Sequence, residues 1–335
     1  MIFRWFLLCL VRNKMITLDK LDRSLLYELD KNSRIPVAQL AKKLRHSRET
    51  IVYRLNRLVE NKIITKFITT INPCKLGYEI FKIYLKLENA KDERERCIEY
   101  LKHYEKIYWI CVCHGVWDLV FSVFAKDSQE FYELRNELVA RFKTIIVQKE
   151  IGTFVDAYEY PKKFLIDCKS ESDYVIIGGK IANNSIDEID KKIVEVLAND
   201  ARIPISILSK KLNSSPRITR NKIQKLEKLG IILRYRIDLN LQLLGLEFYK
   251  AIIYVKDLSK KKEQQLIEYT RKHPNIIYYV RSIAPWELEI ECIVKNHQQF
   301  ISIIEELRDV FHDVIKNYEF VIINWDAWIP SINKL

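Results

Sequence analysis

Residues 18–31 place Leu18, Leu21, Leu25, Leu26 and Leu29 at helical spacing with charged residues between them, which predicts an amphipathic helix. A polar turn containing Asn32 and Pro36 follows. Val37, Leu40, Ala41 and Leu44 then mark a second, short helix, and Ile51, Leu55 and Leu58 a third. Ser47 stands between these two as a natural N-cap. The stretch Val37–Leu58 therefore predicts a helix-turn-helix. Ile63–Ile71 is rich in β-branched residues and predicts a short β-hairpin wing, so the whole segment reads as a winged helix-turn-helix.

Beyond a hinge at Asn72-Pro73 the pattern changes. It predicts a strand at Ile80–Leu87, a helix at Asp92–Tyr104, strands at Ile107–Cys113 and Trp117–Ala125, a helix at Gln129–Phe142 and a strand at Ile145–Ala157. That order, βαββαβ, is ferredoxin-like.

The same programme runs twice, at an offset of 168 residues. Leu18, Asp22, Leu25, Arg34, Pro36, Leu40, Ser47, Asn72 and Gly77 recur as Ile186, Asp190, Ile193, Arg202, Pro204, Leu208, Ser215, Asn240 and Gly245. Helical period alone would not keep Arg, Pro, Ser, Asn and Gly in step. The fold class is thus α+β, two repeats, each a winged helix-turn-helix followed by a ferredoxin-like βαββαβ domain. The expected boundaries are 1–15 for a leader, 16–72 and 186–240 for the helix-turn-helix units, 73–165 and 241–330 for the ferredoxin-like domains, and 166–185 for a linker containing Gly178-Gly179. Met15 is the expected natural start, because the apolar run before it is too short to span a bilayer and lacks a small-residue cleavage site.

Charge sharpens this plan. Of a formal net +12, residues 18–72 carry an excess of six Lys/Arg over Asp/Glu and residues 186–240 an excess of five, while the ferredoxin-like segments are near neutral. Such concentration is the footprint expected of phosphate binding, against a merely solvated surface. Seven cysteines without a C-x-x-C pair argue against a disulfide framework and a zinc site, and point to a reduced cytosol, hence a cytoplasmic protein. Cys111 and Cys113 read as core thiols, and Trp117 and Trp286, at equivalent positions, as core or subunit contacts.

On the third helix Ser47, Arg48, Thr50, Tyr53, Arg54 and Arg57 fall away from the apolar stripe, and in copy two Ser215, Arg217, Arg220, Asn221, Lys222 and Lys225 do the same. These side chains suit phosphates and base edges of double-stranded DNA. Because the two sets differ, the expected target is asymmetric, with half-sites about one helical turn or a multiple apart.

The order of domains, carried by LDKLDRSLLYELDKNSRIPVAQLAKKL, the Ser47 to Leu58 helix, NKIITKFITTINPCKLGY and their counterparts in copy two, resembles the Lrp/AsnC (leucine-responsive, feast/famine) family of prokaryotic transcription regulators. The resemblance implies a DNA-binding regulator without catalytic residues, cofactor or metal. It also implies an amino-acid effector held near a Gly-x-x-Asp loop, which places His114, Gly115 and Asp118 as effector contacts. In copy two that loop reads Ala284-Pro285-Trp286-Glu287 and departs from the pattern. Since the family assembles through its βαββαβ domains, two copies in one chain imply an intramolecular pseudo-dimer, open to higher homo-oligomers. Two alternatives stay open here: an enzyme similar to siroheme decarboxylases of this architecture, and an architectural DNA-binding protein of low specificity.

Overall fold

The computed structural model describes residues 17–168 and 173–329, so the expected leader and Met15 lie outside the described residues. Helix α1 (Lys20–Lys31) starts on a capping box in which Asp19 accepts from the Asp22 amide and Asp22 from the Asp19 amide. Helix α2 (Val37–Leu44) ends on Arg45 in the left-handed region, and α3 (Arg48–Glu60) begins where the Ser47 hydroxyl accepts from the Thr50 amide. Copy two builds α6 (Glu188–Asn199), α7 (Ile205–Lys211) and α8 (Pro216–Lys228) in the same way. There Asp187 and Asp190 form the capping box, Asn213 takes the left-handed turn and Ser215 caps α8.

The wing departs from expectation. Strand β1 (Ile64–Ile71) does not fold back as a hairpin; it pairs antiparallel with its counterpart β7 (Ile232–Leu239), in a register that sets Phe67 against Ile237 and Thr69 against Tyr235. The run ITKFITTI contains no Gly, Pro, Asn or Asp to reverse it, and an edge left open takes the nearest compatible strand. The ribbon also exchanges core residues. Ile237 and Leu239 pack with Leu25, Leu29, Leu40 and Leu55 in the first helix-turn-helix unit, and Ile71 packs with Ile193, Leu197, Leu208 and Ile223 in the second. Each unit is finished by a strand from the other copy.

Copy one continues through β2 (Glu79–Leu87), α4 (Lys91–His103), β3 (Ile107–Gly115), β4 (Leu119–Ala125), α5 (Ser128–Arg141) and β5 (Ile146–Glu159). Copy two matches with β8 (Glu247–Val255), α9 (Lys260–Lys272), β9 (Ile276–Ile283), β10 (Leu288–Val294), α10 (His297–Val310) and β11 (Ile315–Trp328). Within the copies the strands lie side by side as β5-β2-β4-β3 and β11-β8-β10-β9, the ferredoxin-like arrangement. Across them β3 pairs with β11 and β5 with β9, which closes these strands into a ring. Strands β5 and β11 are long enough to do both jobs, the first part of each pairing within its own copy and the last part with the other.

Alternation along the strands sorts residues to two faces. Phe81, Ile83 and Leu85 turn out to the helices of copy one, and Tyr249, Ala251 and Ile253 to those of copy two, while Ile80, Tyr84, Phe248 and Ile252 turn into the ring. Trp117 and Trp286 meet inside it, centroids 6.3 Å apart and both against Tyr84, and Cys111 and Cys113 are buried with them. The interior also holds charge. Glu289 receives Lys82 at 2.7 Å and Lys250 at 2.6 Å, Lys250 reaches Glu291 at 3.0 Å, and the Tyr84 hydroxyl donates to Glu289. Both acids come from copy two; with one extra residue near Asp257 making the offset 169 in this part of the chain, Val120 and Ser122 stand at the equivalent points of β4. Finally, the connection between the copies is not a bare linker. Val175–Gly178 forms β6 on the flank of β5, pinned by the Asn72 side chain to the amide and carbonyl of Gly178.

Candidate nucleic-acid interface

The buried stripe Ile51, Leu55 and Leu58 seats α3 on its unit and decides which residues face away. Arg48, Glu49, Val52, Tyr53 and Asn56 are exposed along one side of its first turns, with Tyr53 64% exposed. Ser47 is exposed too, but its hydroxyl is engaged with the amide and hydroxyl of Thr50, so this pair starts the helix.

Arg54 and Arg57 lie elsewhere than the sequence reading placed them. Arg54 bonds Asp19 at 2.5 Å and Asp22 at 3.1 Å, and Arg57 bonds Asp22 at 2.5 Å. Copy two repeats this with Lys222, at 2.5 Å from Asp187 and 3.1 Å from Asp190, and Lys225, at 2.7 Å from Asp190. Asp22 and Asp190 are buried, so these four cations compensate capping-box carboxylates beneath them. The Asp22 amide, seconded by Arg54, holds the Asp19 carboxyl below its ordinary range; Lys222 followed by the Asp190 amide does so for Asp187. Long side chains flanking an apolar stripe reach the adjoining helix, a contact that a helical wheel drawn for one helix leaves out.

On α8 the exposed side presents Pro216, Arg217, Arg220, Asn221 and Gln224, with Ser215 spent on the cap. Among the described residues no ion pair holds Arg48, Arg217 or Arg220. The sequence sets Glu49 against Arg217 as an exposed difference between the copies; the exposed neighbours it left out are Val52, Asn56 and Gln224, together with Arg45 in the turn. Their signal was positional: they share the face of Arg48 or Arg217 over the first turns of each helix.

The two faces are held in one frame. Besides the β1–β7 ribbon, the Ser33 amide donates to the Tyr235 carbonyl and the Ala201 amide to the Phe67 carbonyl, both at 2.9 Å, and Arg34 and Arg202 reach across to the opposite copy.

The loop expected to bind an effector has structural work of its own. The Asp118 carboxylate accepts from the Leu87 amide at 2.9 Å and pairs with Arg94 at 3.1 Å and Lys86 at 3.4 Å. In copy two Glu287 accepts from the equivalent Val255 amide. Gly115, at φ 131°, leaves only 2.5 Å between an added Cβ and the Phe320 carbonyl, so a side chain there would collide with backbone. His114 is exposed. Among the described residues no cluster could hold a metal ion, and no helix is long and apolar enough to cross a membrane.

The AsnC-type helix-turn-helix domain matches this chain twice, at residues 18–59 and 186–227. A transcriptional regulator of Pyrococcus furiosus is 32% identical over 146 residues, which make up 42% of this chain and 96% of that protein. The chain belongs to the AsnC-type helix-turn-helix family of transcriptional regulators. The HTH-type transcriptional regulator LysM of Saccharolobus solfataricus is 26% identical over 145 residues, 43% of this chain and 99% of its own length. Such relatives are matched almost whole by less than half of this chain, as a tandem duplication requires. Among solved structures, the siroheme decarboxylase NirDL is similar over 92% of both chains with a TM-score of 0.61 and 12% identity, a likeness of fold alone. The exposed sides of α3 and α8 lie on the two matched segments, and Arg54, Arg57, Lys222 and Lys225 back them from below.

Proposed function

We propose that this chain is a sequence-specific regulator that grips one duplex with both of its helix-turn-helix units, so that a single polypeptide does what a dimer of single-copy relatives does. The observation that carries the reading is the shared β1–β7 ribbon, which sets two exposed recognition helices in one rigid frame. A frame of this kind suits two half-sites at a set spacing, about one helical turn or a multiple of it. Arg48, Tyr53, Arg217, Arg220 and Asn221 are the contacts to bases and phosphates, with Ser47, Thr50 and Ser215 setting the helix starts. Unlike side chains at matching positions make the target asymmetric.

An amino-acid effector at His114, Gly115 and Asp118 belongs to the same reading, with His114 as the exposed member; its support is the family resemblance. Selection of duplexes from a random pool by the full-length chain, followed by titration at several salt concentrations, tests the DNA reading. The expected result is a bipartite, asymmetric site whose affinity falls steeply with salt. Retention of no duplex, or of a perfect palindrome, counts against it.

A further inference from the structure

We propose that the two recognition helices read different base chemistry: α8 the edges of guanine and adenine, α3 the amino group of cytosine and the methyl group of thymine. This rests on the DNA-binding reading above and deepens it.

Both helices start on a serine cap, at Ser47 and Ser215, so residues can be compared position by position at the offset of 168. The cations beneath are equivalent in kind, Arg54 with Lys222 on both capping-box acids and Arg57 with Lys225 on the buried one. The exposed positions are not. Glu49 stands where copy two has Arg217, Val52 where it has Arg220, and Tyr53 where it has Asn221.

The face of α8 carries two exposed guanidinium groups and two amides, from Arg217, Arg220, Asn221 and Gln224, with one apolar side chain, Ile218, exposed next to Arg217. A guanidinium fork matches O6 and N7 of guanine, and a carboxamide matches N6 and N7 of adenine. The guanidinium groups find no acceptor on a cytosine edge, and a carboxamide makes one bond there where adenine offers it two.

Between Arg48 and Asn56, which offer α3 a guanidinium and an amide of its own, positions 49, 52 and 53 invert that chemistry. Glu49 is fully exposed at the helix tip, its carboxylate kept ionised by its own amide and the Ser47 hydroxyl. An anion there is repelled by the acceptor edge of guanine and satisfied by the N4 amino group of cytosine. Val52 and Tyr53, 39% and 64% exposed, put apolar surface beside it where copy two is polar. In a major groove the apolar feature available to them is the C5 methyl of thymine.

Grafting copy two onto copy one tests this in the full-length chain. The triple substitution Glu49→Arg, Val52→Arg and Tyr53→Asn changes exposed positions only, and a melting curve like that of the parent certifies the fold. Site selection with this variant should return a sequence whose α3 half has moved to the guanine and adenine contacts of the α8 half. With the parent chain and its own selected site, uracil for thymine in the α3 half should weaken binding several-fold, and by more than the same change in the α8 half. Deazaguanine lacking N7 should do the reverse, by about ten-fold. If the graft binds DNA but selects the parent's asymmetric site, the base assignment falls while the DNA reading stands. If the parent retains no duplex in a salt-dependent manner, the DNA reading falls and takes the assignment with it.

Discussion

Arg34 and Arg202 make the same bond in opposite directions. Arg34 Nη1 donates to the carbonyls of Ala201 at 2.5 Å and Ile203 at 3.2 Å, and Arg202 Nη1 donates to those of Ser33 and, at 3.4 Å, Ile35. Their guanidinium groups lie over Tyr235 and Phe67 respectively, rings supplied by β7 and β1. Each arginine thereby ties the turn after one copy's first helix to the other copy. Burial, with Arg34 nearby, lowers the Arg202 pKa, so this contact sets like charges close together and holds them with backbone carbonyls.

Removing both arginines should therefore loosen the frame. Arg34→Ala with Arg202→Ala is expected to destabilise the chain by about 1–3 kcal/mol through buried carbonyls left without donors. Lysine at both positions should recover little, since it lacks the planar fork. Calorimetry reads the stability, and binding to duplexes with inserted base pairs between half-sites reads the frame. The variant should tolerate altered spacings that the parent rejects.

The ion pairs under the recognition helices predict a separation of effects. Arg54→Ala with Arg57→Ala should cost about 1–3 kcal/mol, because it strips both guanidinium partners from the buried Asp22. Arg48→Ala should change stability by less than about 0.5 kcal/mol yet weaken DNA binding. Thermal melts beside salt-titrated binding curves distinguish the two, and equal stability losses would refute the distinction.

Inside the ring, Glu289 balances Lys82 and Lys250. Burial alone would raise its pKa, but Lys250 and Lys82 outweigh that and hold it well below the carboxylate range. A depressed pKa in the folded state contributes stability that is present above the unfolded value near 4.5 and is lost as pH falls below it. Glu289→Gln should destabilise by about 3–5 kcal/mol at neutral pH. Adding Lys82→Met should restore part of the loss, which a double-mutant cycle by denaturant unfolding would show.

Asp326 works in the opposite sense. It receives the Trp109 indole N–H at 3.0 Å in the wall of a cavity of about 50 Å³ shared with Lys82, Ser122 and Glu291. Burial, then the charges of Asp238 and Glu291, raise its pKa to about 7 against the pull of Trp109 and Arg236. A raised pKa favours the fold at low pH, and that stability is lost as pH climbs from about 4 to about 7. Asp326→Asn should accordingly be more stable than the parent at pH 8, by about 1–2 kcal/mol. The difference should shrink as pH falls and vanish below about pH 4, as urea unfolding across that range would reveal.

Much of this protein was determined by short-range pattern. Helical spacing on Leu25, Leu40 and Ile51, serine caps at 47 and 215, and the strand and helix order after Asn72 could be read along the chain because caps, turns and amphipathic periods act within a few residues. The offset of 168 revealed the duplication for the same reason, since equal local rules leave equal marks. Partner choice was decided by the tertiary structure. An unpaired strand edge offers the same amides and carbonyls whatever its side chains, so nothing in ITKFITTI announces β7 as its partner, nor in β3 that it would meet β11. The same holds for Arg54 and Arg57, whose acids lie 35 residues away in sequence. Whether such an arginine faces DNA or a buried aspartate depends on how α3 sits on α1, and that is fixed only once both apolar faces have closed on a shared core.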